Sequence, residues 1–258
     1  MNTKKRGKLI YQPSGSAAEY AKWACNLYNG CSNRCEYCYN RHSQGKNLLG
    51  KDVPTIKGSM SEEETYELFK KEFAKYRDDI VRKDGLFFSF VSDPCLPETI
   101  ELNFRCIEWC VCNLAPVIIL TKRVDFLQYD KWKRLIEKIV SRNNLTHLIY
   151  FGFTLTGCDE LEPNASTNEQ RIEAMAYLRE LGFLTWASME PIIDLNKSYE
   201  MFKAAIPFCY EFRFGLNRLK KDYTKDEIRE FMERVEEESK DYYCRHIVWK
   251  ESVRKFIE

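Results

Sequence analysis

No run of apolar residues in this chain is long enough to cross a bilayer, and the N-terminus has no apolar core of the signal-peptide kind. Both absences argue against a membrane or secreted protein, and a cytoplasmic location is expected. Charge of one sign is also missing. Lys plus Arg number 40 against 39 Asp plus Glu, a formal net charge of +1, which gives no global pull toward nucleic acid or membrane. The local run Lys4-Lys5-Arg6-Gly7-Lys8 reads as a solvated terminus, with contact to a polyanion as the alternative. Internal repeats, low-complexity tracts and a clear linker are lacking as well.

What is present is an ordinary globular composition. With 258 residues, 44% of them apolar, the chain can bury a substantial core. Short apolar runs alternate with longer amphipathic ones, the signature of βα units. Strands are expected at Trp23 to Tyr28, Leu86 to Val91, Val117 to Leu120, His147 to Phe153, Leu184 to Met189 and Glu211 to Leu216. Helices are expected near Glu62 to Arg77, Glu98 to Cys112, Phe126 to Val140, Glu169 to Glu180, Lys197 to Ala205 and Lys225 to Glu238. Three helix starts carry a hydroxyl followed three residues later by a glutamate, the capping-box pattern: Ser61/Glu64, Ser166/Glu169 and Thr224/Glu227. Parallel strands with helical crossovers form either an open doubly wound sheet or a barrel, and pattern alone does not choose.

Eleven cysteines in a chain expected in the cytoplasm read as thiols and metal ligands, not as disulfides. Three of them, Cys31, Cys35 and Cys38, fall in Cys-x3-Cys-x2-Cys spacing, which lets three thiolates from one loop converge on one metal centre. A four-iron four-sulfur (4Fe-4S) cubane held by three cysteines leaves one iron free to bind something else. Gly30, Asn29, Ser32 and Asn33 suit the tight turns such a loop needs. A zinc site with His42 as fourth ligand is the rival reading, since Cys38-x3-His42 is workable spacing.

Asn29-Gly30-Cys31-x3-Cys35-x-Tyr37-Cys38-Tyr39 is the motif of the radical S-adenosylmethionine (SAM) superfamily, which the chain resembles. Ser92-Asp93-Pro94, Leu120-Thr121-Lys122, Phe153-Thr154-Leu155-Thr156, Glu162-Pro163-Asn164-Ala165-Ser166 and Gln170-Arg171-Ile172 narrow the likeness to the spore photoproduct lyase-like branch, from about residue 23 to about 195. The resemblance implies a partial (β/α)6 barrel of the TIM type, with ligands at the C-terminal ends of its strands. It implies a 4Fe-4S cluster on Cys31, Cys35 and Cys38, and SAM on the open iron. Reductive cleavage of SAM would give a 5′-deoxyadenosyl radical that abstracts hydrogen. It further implies that Ser92 and Lys122 contact the SAM amino-acid moiety, that Thr154 and Thr156 face the ribose or the substrate, that Tyr37 packs beside the adenine and that Tyr39 shields the radical. A reductant such as a flavodoxin or ferredoxin is implied as partner.

Read as residues alone, Asp93 is a rim carboxylate or an Asx-Pro turn, and Lys122 a ligand for a carboxylate or a solvated lysine. Glu190 binds ribose hydroxyls or an amine, or else caps a turn; Asn217 carries the same ambiguity. In the photoproduct lyase a hydrogen-donating cysteine sits two residues before the serine of the Ser-Asp pair. Phe90 stands there in this chain, so DNA repair is not to be assumed and the substrate stays unidentified. Cys95 is either a substitute donor or a chance thiol. Cys106 and Cys110 share a helical face near Cys112, as core thiols or a second metal site. Cys25, Cys158, Cys209 and Cys244 are scattered, without the cysteine-rich C-terminal extension of peptide-modifying relatives. A glycyl-radical activase keeps the cluster but changes the role. In outline, residues 1–20 are expected as a tail, 21–222 as the barrel, and 223–258 as a helical segment on it, its aromatics Tyr242, Tyr243, His246 and Trp249 packing across the barrel or stacking on a base. Arg41 to Gly58 is expected as a long loop over the site.

Overall fold

Each apolar run is followed by an amphipathic helix that must return over the sheet, which makes neighbouring strands parallel. The computed structural model describes residues 7–142, 145–217, 222–242 and 246–258. Lys4, Lys5, Arg6, Tyr243 and Cys244 lie outside the described residues. The first part of the chain contains β1 (Ile10–Tyr11), β2 (Ala24–Cys25), β3 (Tyr28–Asn29), α1 (Tyr39–His42), α2 (Lys46–Leu49), β4 (Thr55–Ile56) and α3 (Glu62–Arg82). Regular alternation follows with β5 (Leu86–Phe88), α4 (Ile100–Cys112), β6 (Val117–Thr121), α5 (Asp130–Ser141), β7 (Ile149–Thr154), α6 (Asn168–Glu180), β8 (Leu184–Ile192), α7 (Leu195–Ala205) and β9 (Glu211–Leu216). The chain closes with α8 (Lys225–Ser239), β10 (His246–Trp249) and α9 (Glu251–Ile257).

The main sheet runs β1-β2-β5-β6-β7-β8-β9-β10. Only β1 pairs antiparallel within it. It is curved and not closed, a partial barrel as expected. The chain ends depart from expectation. β1 joins the sheet, and Leu9 and Ile10 donate their amides to the Glu72 carboxylate at 3.0 and 2.8 Å, so the supposed tail is tied down. The C-terminal segment is not wholly helical either, because β10 extends the sheet beside β9. β3 and β4 form a small separate two-stranded antiparallel sheet.

Alternation along the strands sends successive side chains to opposite faces. Phe88, Ile119, Phe151, Phe153, Phe212 and Phe214 pack under the helices in the main core. Tyr20, Phe87, Ile118 and Trp186 form a second cluster, with Phe90, Leu120 and Tyr150 against it. Gly152 admits the Trp186 ring, since a Cβ there would lie 2.1 Å from it. α5 buries Trp132, Leu135, Ile136 and Ile139, one face at helical spacing. The capping boxes at Ser61 and Thr224 form as expected. The third belongs to Thr167 and Gln170, not Ser166 and Glu169. The Ser166 hydroxyl accepts from the Val124 amide at 3.1 Å, so a tertiary contact claims it and the helix starts one residue later.

Candidate active site

The strand ends meet the cysteine loop around a cavity of about 690 Å³. Cys31, Cys35, Tyr37, Cys38, Ser92, Asp93, Lys122, Thr154 and Glu190 all line it, as do Tyr39, Phe90 and Asn217. Arg41, His42, Ser43, Leu49, Gly50 and Lys51 also reach it, so the first part of the segment expected as a loop over the site lies there, although it contains α2 and β4 and is not one long loop. Gly30 carries a φ of 86°, and a Cβ there would lie 2.7 Å from the Val53 carbonyl oxygen; only glycine fits this left-handed, crowded turn before Cys31.

Asp93 braces the near wall. Its Oδ1 accepts from the Cys95 amide at 2.9 Å and the Thr121 hydroxyl at 2.6 Å, while Oδ2 accepts from Asn33 Nδ2 and the Lys122 amide, both at 2.8 Å. Four donors join the cysteine loop to β5 and β6 through one carboxylate. Sequence had offered it as a rim carboxylate or an Asx-Pro turn, and the Cys95 amide two residues on gives it the contact of an Asx turn while it also lines the cavity. Lys122 points its ammonium at Thr154 Oγ1, 3.4 Å away, and lies 5.6 Å from the Tyr37 ring centre. Burial pulls that ammonium down, yet Cys35 and Glu162 outweigh it and its net shift is upward. Among the described residues it has no ion-pair partner, so it is free to receive an anionic group.

Thr156 does not join the cavity lining. Its amide donates to Asn168 Oδ1 at 2.9 Å, its hydroxyl accepts from the Cys158 amide at 3.3 Å, and it is fully buried. It shapes the turn beneath the rim. Cys95 is likewise buried behind Asp93 and absent from the lining; burial and then Asp93 hold its thiol well above the ordinary range. A donor must reach the cavity, and this thiol does not. Phe90 does, stacked on Phe87 at 4.2 Å. Cys106 and Cys110 are core residues, while Cys112 is exposed.

Across the cavity Glu190 accepts from the Tyr20 hydroxyl at 2.6 Å and the Lys250 ammonium at 2.5 Å. Ser188 Oγ lies 2.8 Å from the Tyr20 hydroxyl, and Lys250 stands 4.0 Å over the Tyr20 ring. Burial first and Glu190 second hold the Tyr20 phenol well above its ordinary value, so it stays protonated and donates. β8 was expected to stop at Met189, but it runs on to Ile192 with an irregular register between Met189 and Ile192. Pro191 cannot donate to a ladder, so this irregularity falls where a proline permits it. Gly215 makes room opposite, since a Cβ there would lie 2.6 Å from Glu190 Oε1.

Tyr20, Ser188 and Lys250 gave no signal in the sequence because their spacing has no period. Arg171 and Glu162 were noted as text of the resemblance without a role. Both side chains are 0% exposed and pair at 2.5 Å. Glu162 also accepts the Tyr37 hydroxyl, which links the pair to the cysteine loop.

The donor set has the chemistry that an iron–sulfur cluster and SAM call for. Loss of water, and next the Asp93 charge, pushes the Cys31 thiol up to about 12; burial also raises Cys35. Metal coordination removes that proton and relieves the cost. Ser92 and Asn33 line the cavity, and Ser92 Oγ and Asn33 Oδ1 are buried without hydrogen-bond partners, unsatisfied groups of the kind that call for an explanation such as a bound group. Among the described residues, no three His, Cys, Asp or Glu side chains meet around a single-ion position. His42 lies with Nε2 3.3 Å from the Glu36 carbonyl oxygen. An iron–sulfur cluster spreads its thiolate ligands over more than one iron. The residues fit the pair of cofactors.

A family model described as the radical SAM superfamily matches residues 25–205. The chain belongs to that superfamily and is a radical SAM enzyme, and the family implies an iron–sulfur cluster and SAM. An uncharacterized protein of Methanocaldococcus jannaschii is 27% identical over 246 residues, covering 92% of this chain and 85% of that protein. Spore photoproduct lyase, solved with dinucleoside spore photoproduct, is similar with a TM-score of 0.62 at 14% identity, over 93% of this chain and 80% of that one. Streptococcus suis SuiB bound to S-adenosylmethionine gives a TM-score of 0.58 at 12% identity, over 88% of this chain and 49% of that one. These two likenesses are of fold. No helix among the described residues is long and apolar enough to cross a membrane.

Proposed function

We propose that this chain binds a 4Fe-4S cluster through Cys31, Cys35 and Cys38 and cleaves SAM reductively. The observation that carries the reading is the gathering, in one cavity at the strand ends, of the three cysteines, the unpaired Lys122 ammonium and the partnerless Ser92 hydroxyl. When bound, the cluster would supply one electron for the reductive cleavage of SAM, the source of a 5′-deoxyadenosyl radical that would abstract hydrogen from the substrate. Lys122 pairs with the SAM carboxylate, and Ser92 Oγ donates to the same moiety. Thr154 orients Lys122 and faces the ribose, and Tyr37 packs beside the adenine. Glu190 accepts from ribose hydroxyls through Oε1, since its Oε2 is already engaged by Tyr20 and Lys250. Phe90, Leu120 and Tyr39 give the cavity apolar walls that keep water from a radical.

The cluster requires a low-potential donor protein, of the flavodoxin or ferredoxin kind, and a reducing cytoplasm suits it. Phe90 in place of a thiol separates this site from that of a photoproduct lyase, and the substrate is a compound still to be found. The test is anaerobic purification, iron and sulfide analysis, then incubation of the reduced protein with SAM and measurement of 5′-deoxyadenosine. Brown protein with about four irons per chain that yields 5′-deoxyadenosine supports the reading. Colourless protein that keeps one zinc per chain after anaerobic reconstitution overturns it.

A further inference from the structure

A buried ion pair is weak grounds for stability, because removing both charges from water costs about as much as their attraction returns. Glu162 and Arg171 are such a pair, and neither lies on a strand: Glu162 sits in the loop after β7 and Arg171 in the first turns of α6. Arg171 Nη1 donates to the Thr154 carbonyl at 2.7 Å, and Nη2 donates to the Ser166 carbonyl at 2.5 Å. The guanidinium is thereby fixed to the end of the sheet. Glu162 faces the other way and takes the Tyr37 hydroxyl, two residues from Cys35. The same loop is tied to this region by the Glu36 amide on the Leu161 carbonyl at 3.0 Å and by Asn164 Nδ2 on the Ser32 carbonyl at 2.8 Å.

The pair is thus a fixed dipole with its negative end on the cysteine loop and its positive end behind. Cys35 senses Glu162 more strongly than Arg171, in keeping with that order. Both side chains are out of water, so solvent and salt screen them little. A fixed negative charge opposes the addition of an electron nearby, and groups beyond the ligands tune a metal centre in this way.

We propose that Glu162, backed by Arg171, is a positioning residue that sets the reduction potential of the cluster: it holds the cysteine loop through Tyr37 and keeps a negative charge beside it, which makes the bound centre a stronger reductant. The proposal rests on the radical SAM reading above. In the step it governs, one electron enters from the external low-potential donor, with no bond made or broken and no proton moved. Lys122, whose positive charge acts on Cys35 more strongly than that of Arg171, works in the opposite sense and is itself kept in variants at Glu162.

The experiment is potentiometric titration of anaerobically reconstituted protein, followed by visible absorption and electron paramagnetic resonance. Glu162→Gln leaves the guanidinium charged and alone, and should raise the potential by about 59 mV or more, equivalent to a tenfold change in the oxidised-to-reduced ratio for one electron. Glu162→Asp keeps the charge but draws it back from Tyr37, and should raise the potential less. The double variant Glu162→Gln/Arg171→Met removes both charges and should return most of the way to the native value. A potential unchanged or lowered in the Gln and Asp variants overturns the proposal, as does a double variant shifted as far as the single, which is what a merely structural defect would give. If the Gln variant does not fold, the sign of the Asp shift decides. A native protein that takes up no iron would instead overturn the radical SAM reading itself.

Discussion

The cysteine wall of the cavity is assembled from residues 31 to 171, inside the segment that matches the family, whereas the wall facing it takes Tyr20 and Lys250 from outside residues 25–205. On the first wall both Asp93 oxygens are occupied by donors and the Glu162–Arg171 pair stands behind, while Lys122 has no ion-pair partner among the described residues and the Ser92 hydroxyl has no hydrogen-bond partner. On the second, Lys250 is neutralised by Glu190 at 2.5 Å, with Glu19 at 3.8 Å. The difference teaches a division of labour. The matched segment supplies the cysteines, Ser92 and Lys122, and the chain ends add Tyr20 and Lys250 to the Ser188 and Glu190 side of the cavity.

The comparison can be broken in order of effect. Replacing Cys31, Cys35 or Cys38 by Ala should abolish cluster iron and 5′-deoxyadenosine formation, measured on anaerobically reconstituted protein; retention of either would remove the cysteine wall from the chemistry. Arg171→Met alone leaves Glu162 buried and unpaired, and should cost about 3–5 kcal/mol in urea unfolding of the apoprotein. Lys122→Met should weaken SAM binding about tenfold to a hundredfold, the worth of a charge-assisted hydrogen bond, read by equilibrium titration. Lys250→Met should destabilise by about 1–3 kcal/mol, since Glu190 at the cavity edge regains some water; if it weakens SAM as much as Lys122→Met does, the two walls are not separate. Lys197→Ala, which removes the exposed pair with Glu160 at 2.7 Å, should leave the melting temperature unchanged, because exposed pairs contribute little.

Several features were legible because they are local. Helix starts at Ser61 and Thr224 follow from a hydroxyl and a carboxylate within one turn. Strands β6 and β9 follow from short apolar runs, and the cysteine loop from spacing alone. Others were misread where a distant partner intervened. Ser166 lost its capping role to the Val124 amide, Thr156 turned under the rim to meet Asn168, and β8 ran past Pro191 because β9 lies beside it with Gly215 opposite. The segment His246 to Trp249, read as part of a helical segment with aromatics, became an edge strand because the Glu211 to Phe214 stretch of β9 offered it unpaired backbone.

What the sequence by itself determined was the βα rhythm and the three-thiol loop, because periodicity and close spacing are properties of a short stretch of chain; Ser92, Lys122 and Glu190 stood out as strand ends, and Thr154 through the resemblance. Only the tertiary structure decided that Asp93 is a brace, that Cys95 is shut away from the cavity, that Glu162 and Arg171 stand behind Tyr37, and that Lys250 meets Glu190 across 60 positions. Those outcomes depend on which groups are desolvated together, and burial is set by the curvature of the whole sheet.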